Sequence, residues 1–175
     1  MAKGPNPLAV NVHPPLEHLR EDPLWRATFR GFFWGEGWLG INRFQQRRNG
    51  KVNWQYRPEV MITQNHDNKV IIFHIRDVMG GYVYERAPYR HGSDSKVRGP
   101  YFTWQARSQG VVARALEILQ DETFFIDKKV EKLEAMAEFM QILTDHGGKR
   151  KGPEVIERIE QLREVATPSG VKLAG

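Results

Sequence analysis

Phe29-Arg30-Gly31-Phe32-Phe33-Trp34-Gly35-Glu36-Gly37 closes the first helical segment of the chain, and its reading decides the rest. Asp22-Pro23 supplies an N-cap acid with proline at the first helical position, so a helix is predicted over about Leu24 to Gly35. Ala27, Gly31 and Gly35 recur at steps of four and form one stripe of small residues, where another backbone can approach closely. Each glycine inside a helix costs about 1 kcal/mol relative to alanine, so two of them call for a packing reason. Two readings stay open on spacing alone. Either Gly31 packs on this chain's own sheet and Gly35-Glu36-Gly37 is a plain C-terminal cap, or the stripe meets a second helix. A lone glutamate on a helix is usually surface decoration.

Outward from that helix, Trp38 to Gln64 reads as two strands joined at Asn49-Gly50, a dipeptide suited to a tight hairpin because both positions tolerate positive φ. From His66 to Met79, Ile71, Ile75 and Val78 mark a second helix, stopped by Gly80-Gly81. Tyr82 to Tyr89 and Tyr101 to Ala106 form another strand pair around the polar loop Arg90 to Pro100. Ser108 caps a helix striped by Val112, Ala115, Leu116 and Leu119. Val130, Leu133, Ala137 and Met140 mark the next, and Val155, Ile159 and Leu162 a last one with Pro153 near its start. The order α-β-β-α-β-β-α-α-α predicts an α+β fold, an antiparallel sheet with helices on one face and the other face open. No repeat of 20–50 residues is visible. We expect an extended lead-in over 1–21, a single domain over 22–165 and a short tail over 166–175.

The chain has 175 residues, 40% of them hydrophobic, enough for one core. With no cysteine, a disulfide framework and a thiolate zinc site are excluded, and a reducing compartment is the expected setting. Met1 to Pro15 holds no apolar run of signal-peptide length, and no membrane span is expected. The net charge of +5 favours anionic partners. Its distribution is more telling. Trp38 to Gln64 carries five bases (Arg43, Arg47, Arg48, Lys51, Arg57) against one acid, Glu59; Tyr82 to Arg107 carries five against two. The tail from Gln120 has eleven acids and nine bases, so the basic excess belongs to the sheet. His66, His74 and His91 match no compact zinc spacing, and neither a nucleophile elbow nor a P-loop is present.

The nonapeptide resembles the LAGLIDADG motif of homing endonucleases, in the form that ends in glycine, acid, glycine. Gly31 matches the motif's first glycine, Gly35 the second, Glu36 the metal-binding acid and Gly37 the glycine after it. Trp34 stands where the family usually has an earlier acid, and Phe29 and Arg30 replace leucine and alanine. The element order over about Leu24 to Leu143 suits one half-unit of the family. The resemblance implies the αββαββα LAGLIDADG fold with a saddle-shaped sheet and extra C-terminal helices. It further implies a homodimer whose motif helices pack across a two-fold axis through Ala27, Gly31 and Gly35. The activity implied is site-specific cleavage of double-stranded DNA at a long pseudo-palindromic target, leaving short 3′ overhangs.

The same resemblance gives the chemistry its residues. Phosphodiester hydrolysis calls for a divalent cation; Mg²⁺ prefers oxygen ligands, and Mn²⁺ or Ca²⁺ can substitute in such a site. Glu36 and the Gly35 carbonyl would hold it. Gln64, ending the second strand, corresponds to the polar residue that orders the catalytic water, and Lys128 to the basic residue that stabilises charge at the cleaved phosphate, with Lys129 as the competing choice. No small-molecule cofactor is expected. An intron-encoded mobile-element protein of this kind works inside the cell, in cytoplasm or an organelle.

Strand alternation puts Lys51, Asn53, Gln55, Arg57 and Glu59 on one polar face, and Val52, Trp54, Tyr56 and Val60 on the other. These polar types pair with base edges in the major groove. On the first strand the phase is open, with Arg43, Gln45 and Arg47 as one set and Asn42 and Gln46 as the other. Tyr84, Arg86, Thr103 and Gln105 complete the expected contact surface. Strands of ten residues span roughly 33 Å, about ten base pairs, so two copies cover about twenty. Two other functions fit the same fold: an RNA-binding intron maturase, or a DNA-binding regulator without catalysis. Glu36 argues against the last, since an acid beside phosphates is repelled unless a cation intervenes.

Overall fold

The computed structural model describes residues 16–48, 50–90, 97–120, 127–147 and 151–167. Its packing divides into two units, Met1–Trp38 with Val60–Ala106, and Leu39–Glu59 with Arg107–Gly175. Four strands form one antiparallel sheet in the order β1-β2-β6-β3: β1 is Gly37–Arg48, β2 Lys51–Asn65, β3 Tyr82–Arg86 and β6 Tyr101–Ala106. A separate two-stranded pair, β4 (Tyr89–Arg90) with β5 (Val97–Arg98), lies in sequence between β3 and β6. The expected third strand to Tyr89 therefore stops at Arg86. Pro88 lacks the N–H that a ladder requires and separates the two pieces.

In the first unit, α1 (Pro23–Glu36) starts where expected: the Asp22 carboxylate accepts from the Trp25 N–H at 2.8 Å and Pro23 occupies the first turn. Its buried face is Trp25, Phe29, Arg30, Phe33 and Trp34. The aromatics make the core. Trp25 stacks on Phe29 at 5.4 Å, and Phe29 meets Trp104 of β6 edge-on at 5.9 Å. Register pairs Ile62 of β2 and Val83 of β3 with Trp104, so these three share the helix-covered face. The helix α2 (Lys69–Met79) covers the same face through Phe73 on Phe102, 5.7 Å apart. It is preceded by a 3-10 turn, His66–Asn68, in which the Asn65 side chain caps the Asn68 N–H. The end of the expected lead-in is also ordered: Glu17–Glu21 forms a 3-10 turn, docked by the Leu16 N–H on the Asp77 carbonyl and Arg20 Nε on the Val78 carbonyl.

The second unit joins the distal hairpin to three helices, α3 (Gln109–Gln120), α4 (Asp127–His146) and α5 (Pro153–Ala166). α4 packs on both α3 and α5. The stripe expected on α3 is buried throughout. On α4 the buried residues are Leu133, Ala135, Met136 and Phe139; Val130, Ala137 and Met140 lie at its margin. Among the described residues, no helix is long and apolar enough to cross a membrane.

Gly80 and Gly81 end α2 at φ values of 79° and 93°. A Cβ at Gly81 would lie 2.8 Å from the Gln105 carbonyl and 3.0 Å from the Trp104 ring nitrogen, so both conformation and space demand glycine. Gly81→Ala is expected to destabilise the protein by about 1–3 kcal/mol, read as a lower urea midpoint at unchanged slope. A midpoint equal to wild type would contradict this packing.

Candidate metal-binding acid and nucleic-acid interface

The face of α1 turned away from the core is made of Leu24, Ala27, Thr28, Gly31, Phe32 and Gly35, with Glu36 at its end. No charge interrupts it before Glu36. A Cβ at Gly31 or Gly35 would meet nothing within 4 Å, so the chain's own packing needs glycine at neither place. That removes packing on the chain's own sheet as the reason for the stripe. Gly37 differs: a Cβ there would overlap the Phe33 ring and carbonyl, and its absence lets the chain pass from the helix directly into β1.

Glu36 is exposed, and no described residue donates to its carboxylate. It sits at the C-terminal end of a helix, where unpaired carbonyls already point outward and the dipole is negative. A carboxylate there is disfavoured by about 0.3–1 kcal/mol, and a cation relieves it. Because β1 and β2 are consecutive antiparallel neighbours, the start of β1 beside Glu36 and the end of β2 at Gln64 lie at the same end of the hairpin. Gln64 is half-buried, shares a face with Phe102, and its Oε1 accepts from Asn68 Nδ2 at 3.4 Å. Lys128 belongs to the first turn of α4, but its side chain lies outside the described residues, as does that of Lys51. Lys129 is half-buried and engaged within the fold. Among the described residues no three His, Asp or Glu side chains gather into a metal-binding set.

The structure settles the phase of β1. Arg43 pairs with Glu160 of α5 at 3.2 Å and lies 3.8 Å over the Trp54 ring, while Tyr56 donates to the same Glu160 at 2.5 Å. Arg43, Trp54 and Tyr56 therefore share the α5 side of the hairpin, and alternation sends Gln45 and Arg47 to that side too, both exposed. Asn42, Phe44, Arg57 and Glu59 occupy the opposite side: Asn42 Nδ2 donates to Glu59 Oε2, and Arg57 lies 5.0 Å over Phe44. Gln46 continues this set, and Gln46, Asn53 and Gln55 are exposed.

Three expected contact residues are buried instead. Glu59 is 2% exposed, because Asn42 and Arg107 close over its carboxylate; Arg107 Nε donates to Oε1 at 2.6 Å. Thr103 and Gln105 are 1% and 5% exposed. β6 is a central strand with neighbours on both sides of these two: Thr63 and Tyr84 flank Thr103, while Met61 and Tyr82 flank Gln105. The surface they were expected to form is presented by Tyr84, half-buried, Arg86, exposed, and Tyr82, which sequence reasoning missed although it alternates with Tyr84. Arg107 and Phe44 were missed as well. Thr103, Gln105 and Arg107 fall at steps of two, and that spacing was the available signal.

No protein-family model matches the sequence, and no curated protein does. Solved structures do. The chain superposes on the archaeal intron-encoded homing endonuclease I-Vdi141I, complexed with DNA, at a TM-score of 0.63 and 17% identity over 87% of each chain. It superposes on the group I intron-encoded homing endonuclease I-CeuI, complexed with DNA, at 0.60 and 13% identity over 81% of this chain and 67% of the other. Against the LAGLIDADG homing endonuclease I-GzeII, in complex with its DNA target, the TM-score is 0.58 at 16% identity; the match covers 79% of this chain and only 43% of I-GzeII. The chain has the LAGLIDADG homing-endonuclease fold.

The attachment of the hairpin to α5 can be titrated. Burial, the bond to Glu160 and the charge of Glu160 push the Tyr56 hydroxyl up to about 12, against the weaker opposing charges of Arg43 and Arg163. Burial would raise Glu160, but the bonds from Tyr56 and Arg163 and the charges of Arg163 and Arg43 outweigh it, so Glu160 lies below the usual carboxylate range. The raised hydroxyl contributes stability below pH 10 that is lost as pH rises toward about 12. The lowered carboxylate contributes above its ordinary 4.5, and that part is lost as pH falls through its folded-state value. Phenolate absorbance should show one tyrosine ionising near pH 12 in wild type and lacking in Tyr56→Phe. Superimposable curves apart from a group at pH 10 would contradict the bond.

Proposed function

We propose that this chain is a site-specific DNA endonuclease that acts as a homodimer, with one Glu36 from each copy meeting at the cleavage site. The observation that carries this reading is the outward face of α1: free of charge, carrying two glycines that the chain's own packing does not require, and ending on an exposed acid that no described residue neutralises. Two copies joined through Ala27, Gly31 and Gly35 let the helix backbones approach closely, and dispersion across that seam offsets the helix cost of the glycines. The LAGLIDADG fold and the DNA complexes among similar structures support the same reading.

The residues suit a hard divalent cation in part. Glu36 supplies a carboxylate and Gly35 a carbonyl near the helix end, where carbonyls lack intrahelical donors. In this reading the remaining ligands would come from the second copy and from the phosphate itself. When bound there, Mg²⁺, or Mn²⁺ or Ca²⁺ in its place, supplies charge neutralisation at the scissile phosphate and an activated water. Gln64 orients the attacking water from the end of β2, and Lys128 stabilises the charge that develops on the phosphate. Asn42, Gln46, Asn53, Gln55 and Arg57 face the duplex on the hairpin, and Tyr84 and Arg86 on β3. On the α5 side, Arg47 steers by charge more than by base contact, while Arg43 is held by Glu160 and Gln45 adds a polar group. Identical subunits imply a near-palindromic target of about twenty base pairs, cut to leave short 3′ overhangs. Such a protein is intron-encoded, mobile, and active in cytoplasm or an organelle.

Incubation with a randomised duplex library and Mg²⁺, followed by sequencing of the ends, tests the reading. Wild type should cut one related set of sites; Glu36→Gln, and wild type in a chelator, should lose at least about 100-fold in cleavage while keeping duplex affinity. Intron RNA binding without any duplex cleavage would overturn it in favour of a maturase, and equal cleavage by Glu36→Gln would remove the metal assignment.

A further inference from the structure

We propose that Arg107 reads a guanine edge in the bound duplex and that Glu59 is the positioning residue that aims it. The inference rests on the DNA-binding reading above and deepens it.

Arg107 lies just past β6, in the unit that holds the hairpin and the C-terminal helices. Its Nε donates to Glu59 Oε1 at 2.6 Å, with the Arg107 side chain 37% exposed and that of Glu59 only 3%. The other Glu59 oxygen takes the Asn42 amide nitrogen. Among the described residues, neither terminal nitrogen of Arg107 has a partner. A guanidinium held at Nε by a buried carboxylate is fixed in orientation, so its two terminal nitrogens project as a preset pair of donors. Little side-chain freedom is then left to lose on binding.

Asn42, Phe44 and Arg57 show which side of the hairpin this is. They occupy the side opposite the Arg43, Tyr56 and Glu160 cluster, where α5 leaves the sheet uncovered. Charge decides what the fork recognises. The Glu59 carboxylate offsets the Arg107 cation, so the pair adds little to the long-range attraction that phosphate contacts depend on. What remains is directional hydrogen bonding, and a guanine presents O6 and N7 to such a donor pair in the major groove. Asn42 donates through its nitrogen to Glu59, which leaves its amide oxygen as the acceptor for an amino group on a neighbouring base. Glu59 thus holds one donor and one acceptor in fixed relation.

The test is a binding selection from a randomised duplex library at several salt concentrations, with wild type, Arg107→Lys, Arg107→Ala and Glu59→Gln, all as full chains. A bidentate guanine contact predicts that both Arg107 variants lose about tenfold or more discrimination at one base pair per half-site, with the salt slope unchanged. Glu59→Gln, which keeps the side-chain size, should relax the same base pair even though Arg107 is present. Uniform weakening with the salt slope reduced by about one would overturn the assignment in favour of a phosphate contact. Uniform weakening at constant slope would reduce Arg107 to a structural role. A profile left intact by Arg107→Ala overturns this inference alone, whereas a wild-type protein that enriches no duplex overturns it together with the reading beneath it.

Discussion

Phe29 meets Trp104 edge-on, and that contact determines which way α1 faces. Trp104 is itself pinned: its ring nitrogen donates to the Gly80 carbonyl at 2.7 Å, and Ile62 and Val83 flank it across the sheet. A helix advances 100° per residue, so once Phe29 and Phe33 point at the sheet, Ala27, Gly31 and Gly35 point away from it. Glu36 lies seven residues after Phe29, nearly in line with it along the helix, and is exposed because it is the last residue of α1. Gly37 then carries the chain straight into β1, because any side chain there would overlap Phe33. The uncharged outer stripe is thus a consequence of one aromatic contact in the core.

A second constraint sorts the polar residues of the hairpin. Glu160 gathers Tyr56, Arg43 and Arg163 on the α5 side. Residues alternating with these face the other way, and that is the side on which Asn42, Glu59 and Arg107 form their network. Two buried or half-buried carboxylates on opposite faces of one hairpin therefore hold different arginines, Glu160 taking Arg43 of the hairpin and Glu59 taking Arg107 from just past β6. One attaches the hairpin to a helix, and the other holds Arg107 and Asn42 on the opposite side. Counting bases along the strands overstates the contact surface, because Arg43 belongs to the first group.

Much of the fold was legible in the sequence, for identifiable reasons. Asp22-Pro23, Gly50 and Gly80-Gly81 are local signals with single physical meanings, and each sits where the structure needs a cap or a positive φ; Asn49 lies outside the described residues. The order of helices and sheet strands followed from them, apart from the short β4–β5 pair inside the expected loop. The faces were harder. On β1, polar residues occupy both sides, so alternation could not say which side α5 covers; only the Glu160 contacts decide it. Glu59 reads as a contact residue from its neighbours Arg57 and Gln55, and its burial depends on Arg107, forty-eight residues away in sequence. Thr103 and Gln105 look exposed as polar residues on an alternating strand, but a central strand beside Met61, Tyr82 and Tyr84 has its small polar side chains covered. On α4 the pattern placed Leu133 correctly, but Ala135, Met136 and Phe139 take the buried face that Ala137 and Met140 were expected to share. Glu36 and the glycines around it were legible in position, and the structure adds that nothing among the described residues requires Gly31 or Gly35.

What remains is whether a second helix takes the place that those glycines leave open. The account depends on two copies of α1 meeting through their uncharged faces, since a single Glu36 with one carbonyl makes an incomplete ligand set. Sedimentation equilibrium of the protein on a duplex carrying its selected target measures this directly. Two chains per duplex are expected; one chain per duplex at saturation would contradict a dimer joined through α1.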